Sequence, residues 1–207
     1  MIKILTLSTA FLLLYSTLNA QIKSQSAVKS ALPKGIAFKG KVNQAIQFQD
    51  NTGSYLTFST QTGEQPQKGD DQFKQAHLYG YLYQNKGNGQ HTPIWQLHDF
   101  IADCDLDIKA QIIPGSLTVT DLDKNGKAEV WIAYRLSCSG DISPSELKVV
   151  MQEQKLKFVK YGIGKIKIGK ALQPDGGEVI SDQFKKAPVS FKQYADKLWN
   201  KYLVETN

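Results

Sequence analysis

Residues 116–134 read Ser116-Leu-Thr-Val-Thr-Asp-Leu-Asp-Lys-Asn-Gly-Lys-Ala-Glu-Val-Trp-Ile-Ala-Tyr134, and they constrain the architecture more than any other segment. The two ends of this segment, 116–120 and 130–134, are rich in β-branched and aromatic residues and lack the spacing of an amphipathic helix. The polar middle contains Asn and Gly, which are typical of tight turns. The segment therefore predicts two strands joined by a short acidic loop.

The loop between these strands places oxygen-bearing side chains at alternate positions. Asp121, Asp123 and Asn125 stand at loop positions 1, 3 and 5, and Gly126 follows where calcium loops require a sharp turn. Position 12 is Ile132 and not the bidentate glutamate of an EF-hand, because the last acid comes at position 9 instead. We predict one structural Ca²⁺ whose ligands are Asp121, Asp123, Asn125, the backbone carbonyl of Lys127 and Glu129. The alternative is an acidic turn that satisfies only its own backbone.

The N-terminal segment has the pattern of a cleavable signal peptide. A positive start is followed by the mostly apolar residues 4–18 and by a small-residue cleavage site ending at Ala20. We predict residues 1–20 as signal peptide, 21–34 as a flexible lead-in, and 35–207 as a single β-rich domain with a C-terminal helix. The mature protein is then periplasmic or secreted and not an integral membrane protein. An uncleaved anchor is the less favoured alternative, because the apolar run is short for a membrane-spanning helix.

Cys104 and Cys138 are the only cysteines in the chain. Because export leads to an oxidising compartment, we predict that they form a disulfide. Two buried thiols are the alternative, and a redox site is disfavoured because the chain has no C-x-x-C motif. The bridge would connect the segment before the acidic loop with the strand after it.

The rest of the chain also predicts mainly strands. Alternating or β-branched segments bounded by turn residues predict strands at 45–49, 54–60, 76–83, 94–101, 147–152 and 156–161. Apolar residues at helical spacing from Phe191 to Tyr202 predict an amphipathic helix, with Ser190 and Gln193 as its capping box. The predicted fold class is mainly β (α+β), an antiparallel sheet or sandwich of hairpins with a calcium-loop hairpin and a C-terminal helix.

A longer resemblance covers roughly Leu78 to Tyr202. It is carried, in order, by Trp95, Asp99-Phe100, Asp103-Cys104, Asp107, Ser116-Leu117, Asp121 to Glu129, Cys138, Gly140 to Pro144, Leu147-Lys148, Gly176 to Glu178, Ala187-Pro188, Tyr194-Ala195 and Trp199. This set resembles a family of exported bacterial proteins of unknown biochemistry, loosely labelled surface-polysaccharide biosynthesis proteins. The resemblance implies a secreted, calcium-loop architecture and a link to surface polysaccharide. Locally, the loop resembles the calcium hairpins of FG-GAP repeats in integrin-type propellers, although one such loop cannot build a propeller.

Charge gives limited information about partners. The whole chain carries a net charge of +6, and residues 155–170 hold six lysines and no acidic residue. The alternation of Lys and Ile in 165–168 predicts the solvated face of a strand, with a patch for an anionic glycan or a protein as the alternative. Nucleic acid is disfavoured because the chain shows none of the common nucleic-acid-binding motifs and no Arg-rich segment.

Candidate catalytic residues form no recognisable motif, and we assign none. The isolated candidates are His77, His91, His98, Asp103, Asp105 and Asp107. The histidines lack the paired spacing of a zinc site. The aspartates are expected on a solvated strand face. The alternatives are that they face the calcium loop or form a glycosidase-type carboxylate pair. The alternate tyrosines of 79–83 share one strand face, which favours cross-strand packing over stacking on sugar rings.

These observations predict an exported, calcium-binding, non-catalytic binding or assembly factor of the bacterial cell envelope, linked to surface polysaccharide. Its partner would be an envelope component, either an anionic glycan or a protein. The alternatives are an envelope glycan-acting enzyme and a periplasmic immunity or inhibitor protein. An enzyme would need a cleft with convergent groups of perturbed pKa, whereas a binding protein would expose an aromatic or basic surface.

Overall fold

The computed structural model describes residues 22–27 and 32–206. The predicted signal peptide, residues 1–20, and part of the predicted lead-in lie outside the described residues. The described part of the chain consists mainly of strands in antiparallel sheets, with one C-terminal α-helix and no closed barrel. The predicted fold class is therefore confirmed.

Six strands form the first sheet. They are β1 (Lys23–Ala27), β2 (Lys41–Asp50), β3 (Gly53–Gln61), β4 (Gln65–Gln67), β5 (Asp70–Gly87) and β6 (Gln90–Cys104). The hydrogen-bonded order is β1-β2-β3-β5, and both β4 and β6 also pair with β5. All these pairings are antiparallel. The tight turn at Asn51-Thr52 joins β2 to β3, as the turn residues predict.

The second sheet contains the acidic loop. Its strands are β7 (Asp107–Ile112), β8 (Thr118–Thr120), β9 (Glu129–Ser139), β10 (Glu146–Glu153), β11 (Leu156–Ile163) and, later in the chain, β14 (Val179–Asp182). The order is β14-β11-β10-β9-β7, and β8 also pairs with β9. Residues 129–136 of β9 are all buried, because this strand is central and the sheet is covered on both faces. This explains the nearly continuous apolar run at 130–134.

A small third sheet and two helical segments complete the described residues. The sheet consists of β12 (Lys165–Ile168), β13 (Ala171–Leu172) and β15 (Val204–Thr206), and β12 and β15 run parallel. A 3-10 helix spans Gln183–Lys186, and α1 spans Val189–Tyr202. The predicted capping box is wrong. Pro188 occupies the N-cap without a side-chain hydrogen bond, so Ser190 already lies inside the first helical turn.

The two large sheets pack face to face as a sandwich. Their shared core is contributed by Phe48, Leu78, Leu82 and Leu97 of the first sheet and by Ile112, Val130, Ile132, Tyr134, Leu136 and Val150 of the second. Burial of this apolar surface is the main favourable contribution to folding. Because the core holds β9 and β10 in place, it also determines where the ends of these strands meet the acidic loop.

The outer faces of both sheets are covered as well. Trp131, Val149 and Met151 of the second sheet pack against Phe184 and the apolar face of α1. On the first sheet, the alternate tyrosines of 79–83 are buried with Phe58, and the segment 32–40 lies over them. The prediction that these tyrosines pack across strands is confirmed, so their rings are not available to a sugar.

The disulfide between Cys104 and Cys138 is confirmed, with the two sulfurs 2.05 Å apart and the Cα atoms 5.9 Å apart. Cys104 ends β6 in the first sheet and Cys138 lies in β9 of the second, so the bond connects the two layers of the sandwich. A structural disulfide suggests an environment outside the cytoplasm. Across residues 22–27 and 32–206, no helix combines the length and apolar character needed to cross a bilayer.

The lysine-rich segment 155–170 is largely solvated, with Lys160 as an exception. Lys160 is 6% exposed, and its ammonium group lies 2.5 Å from Asp196 Oδ1 and 3.3 Å from Asp182 Oδ2. Lys160 is outside residues 165–168, where the alternation predicts a solvated face and where Lys167 is exposed and Ile166 is buried. The reason for the burial of Lys160 is tertiary, because β14 and α1 bring two carboxylates to the lysine, and paired charges tolerate burial.

Candidate metal centre

The acidic loop joins β8 and β9, which are antiparallel neighbours. Thr120 pairs with Glu129, so residues 121–128 must reverse the chain at the end of the sheet. Gly126 has a φ of +79° and Lys124 a φ of +61°. The left-handed conformation at Gly126 is the sharp turn that its position in the loop predicts, and glycine adopts it without steric cost.

Three carboxylates converge in this loop. Asp121, Asp123 and Glu129 can each offer one oxygen such that these oxygens all lie within 4.8 Å of one another. Like charges at such separations repel, and a hard cation between them would offset the repulsion. This acidic group can therefore hold a metal ion.

Backbone N–H groups of the loop orient these side chains. Gly126 N–H donates to Asp121 Oδ2 (3.1 Å), and Asn125 N–H donates to Asp123 Oδ1 (3.1 Å). Lys127 N–H donates to Asn125 Oδ1 (2.7 Å), and Asn125 Nδ2 donates to Asp123 Oδ2 (3.0 Å). Asn125 thus lies in the same group as the carboxylates. The role of the Lys127 carbonyl as a ligand stays a prediction.

Glu129 is the most deeply buried of these acids, with 0% exposure. Thr120 Oγ1 donates to Glu129 Oε2 (2.5 Å), and Leu122 N–H donates to both carboxylate oxygens (2.9 and 3.1 Å). The indole of Trp131 in turn donates to Thr120 Oγ1 (2.8 Å). Burial raises the pKa of Glu129, the hydrogen bonds oppose this effect, and the neighbouring aspartate charges add to it. A bound cation would favour the ionised carboxylate.

Glu153 is an acidic residue near the loop that the sequence did not predict. It ends β10, where Gln152 pairs with Val130, so Glu153 comes next to Glu129 at the end of β9. Its Oε1 accepts a hydrogen bond from Asn125 Nδ2 (3.1 Å). Burial raises the pKa of Glu153, and the charges of Asp123 and Asp121 add to this effect. The Asn125 hydrogen bond and the charge of Lys127 oppose it. Only the pairing of β9 with β10 could have indicated this proximity.

Two carboxylate oxygens near the acidic loop indicate whether a cation would fit there. Asp121 Oδ1 and Glu153 Oε2 are fully shielded from solvent, and neither has a hydrogen-bond partner. A buried carboxylate oxygen without a donor is unfavourable unless something positive compensates it. The side chains that converge here supply oxygen donors, which suit Ca²⁺ better than Zn²⁺. The residues present therefore fit a hard divalent cation.

The acidic loop also contacts the first sheet. Asn51 N–H donates to the carbonyl oxygen of Gly126 (2.9 Å), and Ala128 N–H donates to Asp50 Oδ2 (3.0 Å). Asp50 and Asn51 belong to the turn between β2 and β3. The loop therefore links the two layers of the sandwich, so its conformation is coupled to the β2–β3 turn.

Two of the histidines that are isolated in sequence meet across β5 and β6. His77 Nδ1 lies 3.1 Å from His98 Nε2, and the His98 ring stacks on Phe100 with centroids 5.3 Å apart. His98 is exposed, and Phe100 is 50% exposed. Burial, followed by the charges of His98 and Lys39, lowers the pKa of His77. The result is an imidazole and aromatic surface, which strand pairing creates and sequence spacing does not indicate.

The three aspartates near Cys104 stay at the surface, but they do not share one strand face. Asp103 has a φ of +53° and accepts a hydrogen bond from Gln67 (2.5 Å), while Asp107 lies 3.9 Å from the ammonium group of Lys74. Asp105 lies in the turn between β6 and β7. The expected exposure is confirmed, and the expected strand face is wrong because the chain reverses direction here.

The chain was compared with protein-family models, with curated proteins and with solved structures, and no match was found. The resemblance described from the sequence therefore stays a prediction.

Proposed function

We propose that this protein is a calcium-binding, non-catalytic binding or assembly factor of the bacterial cell envelope, exported by a cleavable signal peptide. The observation that carries the proposal is the convergence of Asp121, Asp123 and Glu129, together with a shielded oxygen of Asp121 that accepts no hydrogen bond. The disulfide supports the oxidising compartment. Extracellular fluids and the periplasm also supply the calcium that a weak site needs.

The ion would have a structural role. It would offset the mutual repulsion of the loop carboxylates and so hold the loop in the conformation that contacts Asp50 and Asn51. Calcium would thereby strengthen the connection between the two sheets at the loop, while the disulfide connects them at the ends of β6 and β9. No bound substrate or chemical step is required for this role.

The surface formed by His77, His98 and Phe100 supports a binding function. Imidazole and phenyl rings can both pack on the faces of sugar rings, and the imidazole N–H groups can donate hydrogen bonds to hydroxyl or acidic groups of the sugar. Such a surface suits an anionic surface polysaccharide, the partner that the family resemblance implies. A protein partner of the envelope would use the same exposed rings.

The alternative function is a glycan-acting enzyme. One pair of carboxyl groups beside the disulfide could be considered as its catalytic pair. Asp99 and Glu146 line a groove of about 550 Å³ beside the disulfide. Lys148 lies between them, with its ammonium group 2.8 Å from Asp99 Oδ2 and 3.4 Å from Glu146 Oε2. A glycosidase needs two carboxyl groups that can reach the glycosidic bond, whereas both carboxyl groups here contact the ammonium group of Lys148. This arrangement favours a structural ion pair over an acid and base pair.

Calcium binding by the wild type and by Asp123→Ala is the test of the proposed function. The protein would be purified from the envelope fraction, and its intact mass would establish whether it begins at Gln21. Calorimetry should detect Ca²⁺ binding at about 10⁻⁴–10⁻³ M, the range of extracellular calcium modules. Millimolar Ca²⁺ should then stabilise the fold by about 1–3 kcal/mol and raise the melting temperature by about 2–12 °C.

Asp123→Ala should abolish this binding, because it removes a carboxylate at the centre of the group. Asp105→Ala is the matched control, since Asp105 is exposed and lies in another turn. Terbium luminescence gives a second measurement, because the Trp131 indole connects to Glu129 through Thr120 and can sensitise a bound lanthanide. If the wild type shows no binding heat with millimolar Ca²⁺, and a chelator leaves its melting curve unchanged, the loop is only an acidic turn.

A further inference from the structure

We propose that Glu153, on the neighbouring strand β10, is a further ligand of the ion in the acidic loop. This inference rests on the proposed calcium function, because it adds a residue to the same site. The predicted ligands all come from the local segment 121–129, whereas Glu153 is 28 residues away from Asn125. Glu153 would make the metal centre a clamp between a loop and a separate strand.

The burial of Glu153 is the first observation that points to a ligand. The residue is 8% exposed, and its Oε2 is fully shielded without a hydrogen-bond partner. None of the salt bridges found among residues 22–27 and 32–206 includes Glu153. The Lys127 charge acts on Glu153 without forming a salt bridge to it, while the nearby Asp121 and Asp123 are both negative. A buried carboxylate beside two other carboxylates and without an ion pair is unfavourable, so this position favours a cation.

The orientation of Glu153 is the second observation. Its Oε1 is 3.1 Å from Asn125 Nδ2, which is itself 3.0 Å from Asp123 Oδ2. One amide group therefore separates the carboxylates of Glu153 and Asp123. Two oxygens on opposite sides of one Ca²⁺ have a comparable separation, because each Ca–O distance is about 2.3–2.6 Å. The carboxylate of Glu153 thus faces the group formed by the loop acids.

Strand register explains why Glu153 is held there. The pairing of Gln152 with Val130 brings the end of β10 beside Glu129, and the sandwich core holds both strands in place. Like charges at neighbouring cross-strand positions are destabilising on their own. A cation bound between the carboxylates would offset this repulsion. The two glutamates and the loop aspartates would then stabilise the fold through their contacts with the ion.

Calorimetric titration of Glu153→Gln with calcium chloride tests the inference. We expect the calcium affinity to fall by about 10–100-fold relative to the wild type, as when supporting groups of metal sites are removed. Glu146→Gln is the matched control, because Glu146 lies at the other end of the same strand. This control should bind calcium with the wild-type affinity.

Thermal unfolding of Glu153→Gln distinguishes a metal ligand from a purely structural residue. For a ligand, the difference in melting temperature from the wild type should depend on whether calcium is present. In chelator, the variant should melt at the same temperature as the wild type or higher, because one repelling charge is gone. In millimolar Ca²⁺ it should melt lower than the wild type, because a ligand is gone. Wild-type calcium affinity in Glu153→Gln, with binding still lost in Asp123→Ala, would overturn this inference and leave the proposed function standing. A wild type that binds no calcium would overturn both.

Discussion

Replacement of Gly126 by alanine should test how the acidic loop is attached to the first sheet. A Cβ atom built at Gly126 would lie 1.8 Å from Asn51 Nδ2 and 2.7 Å from Asn51 Cγ. The same residue has a φ of +79°, which alanine adopts only with strain. The substitution therefore combines a backbone penalty with a steric clash against the β2–β3 turn.

Gly115→Ala separates these two effects. Gly115 has a similar φ of +73°, but a Cβ atom there would meet nothing within 4 Å. We expect Gly115→Ala to lower the free energy of unfolding by about 1–2 kcal/mol, the cost of the left-handed conformation for alanine. Gly126→Ala should lower it by about 0.5–1.5 kcal/mol more, because the exposed Asn51 side chain must leave its rotamer.

Thermal unfolding followed by circular dichroism, in chelator to remove any contribution of bound ion, is the assay. Gly126→Ala should melt about 1–6 °C below Gly115→Ala. Adding Asn51→Ala should recover most of this difference, because it removes the atoms that clash. Equal destabilisation by the two glycine substitutions would refute the contact between the loop and the turn.

The remaining predictions concern the disulfide and one buried carboxylate. The double variant Cys104→Ser/Cys138→Ser should lose about 4 kcal/mol in denaturant unfolding, because the bond closes a loop with a sequence separation of 34. A loss below about 1 kcal/mol would contradict the expectation that the disulfide stabilises the fold by closing this loop. Burial disfavours the charge of Glu205, but hydrogen bonds from Lys109 (2.8 Å) and Ser145 (3.0 and 2.7 Å) outweigh it, so its pKa is lowered. This carboxylate therefore stabilises the fold above the ordinary Glu pKa, and its contribution is lost as the pH falls through the lowered pKa. Glu205→Gln should melt below the wild type at about pH 7 and approach it at about pH 3, whereas a constant difference would contradict the assignment.

Several hairpins could be predicted from sequence because their determinants are close in the chain. The turn at Asn51-Thr52 between alternating segments indicates β2 and β3, and the β10–β11 hairpin is equally local. The order of strands within each sheet was not predictable in this way. The pairing of β9 with both β7 and β10 depends on which apolar faces can be buried together, and this is a property of the whole sandwich.

Buried charged residues also could not be predicted from the neighbouring sequence. Lys160 lies in the lysine-rich segment 155–170, which contains no acidic residue, yet Asp182 and Asp196 pair with it from β14 and α1. Nothing in the residues next to Lys160 indicates these partners. An alternation of polar and apolar residues indicates only which face of a strand a side chain occupies. The residues that pack on that face come from elsewhere in the chain.

The sequence by itself determined the class of the fold, the disulfide partners and the local part of the acidic group that could hold a metal ion. These features follow from periodicity, from the presence of only two cysteines, and from acidic residues spaced along the loop from Asp121 to Glu129. Only the tertiary structure decided that Glu153 approaches the loop, that the β2–β3 turn contacts it, and that His77 meets His98. Each of these contacts joins residues that are distant in sequence, and their proximity depends on strand register and sheet packing. Register and packing are set by the burial of the whole core, so no short stretch of residues contains the information that determines them.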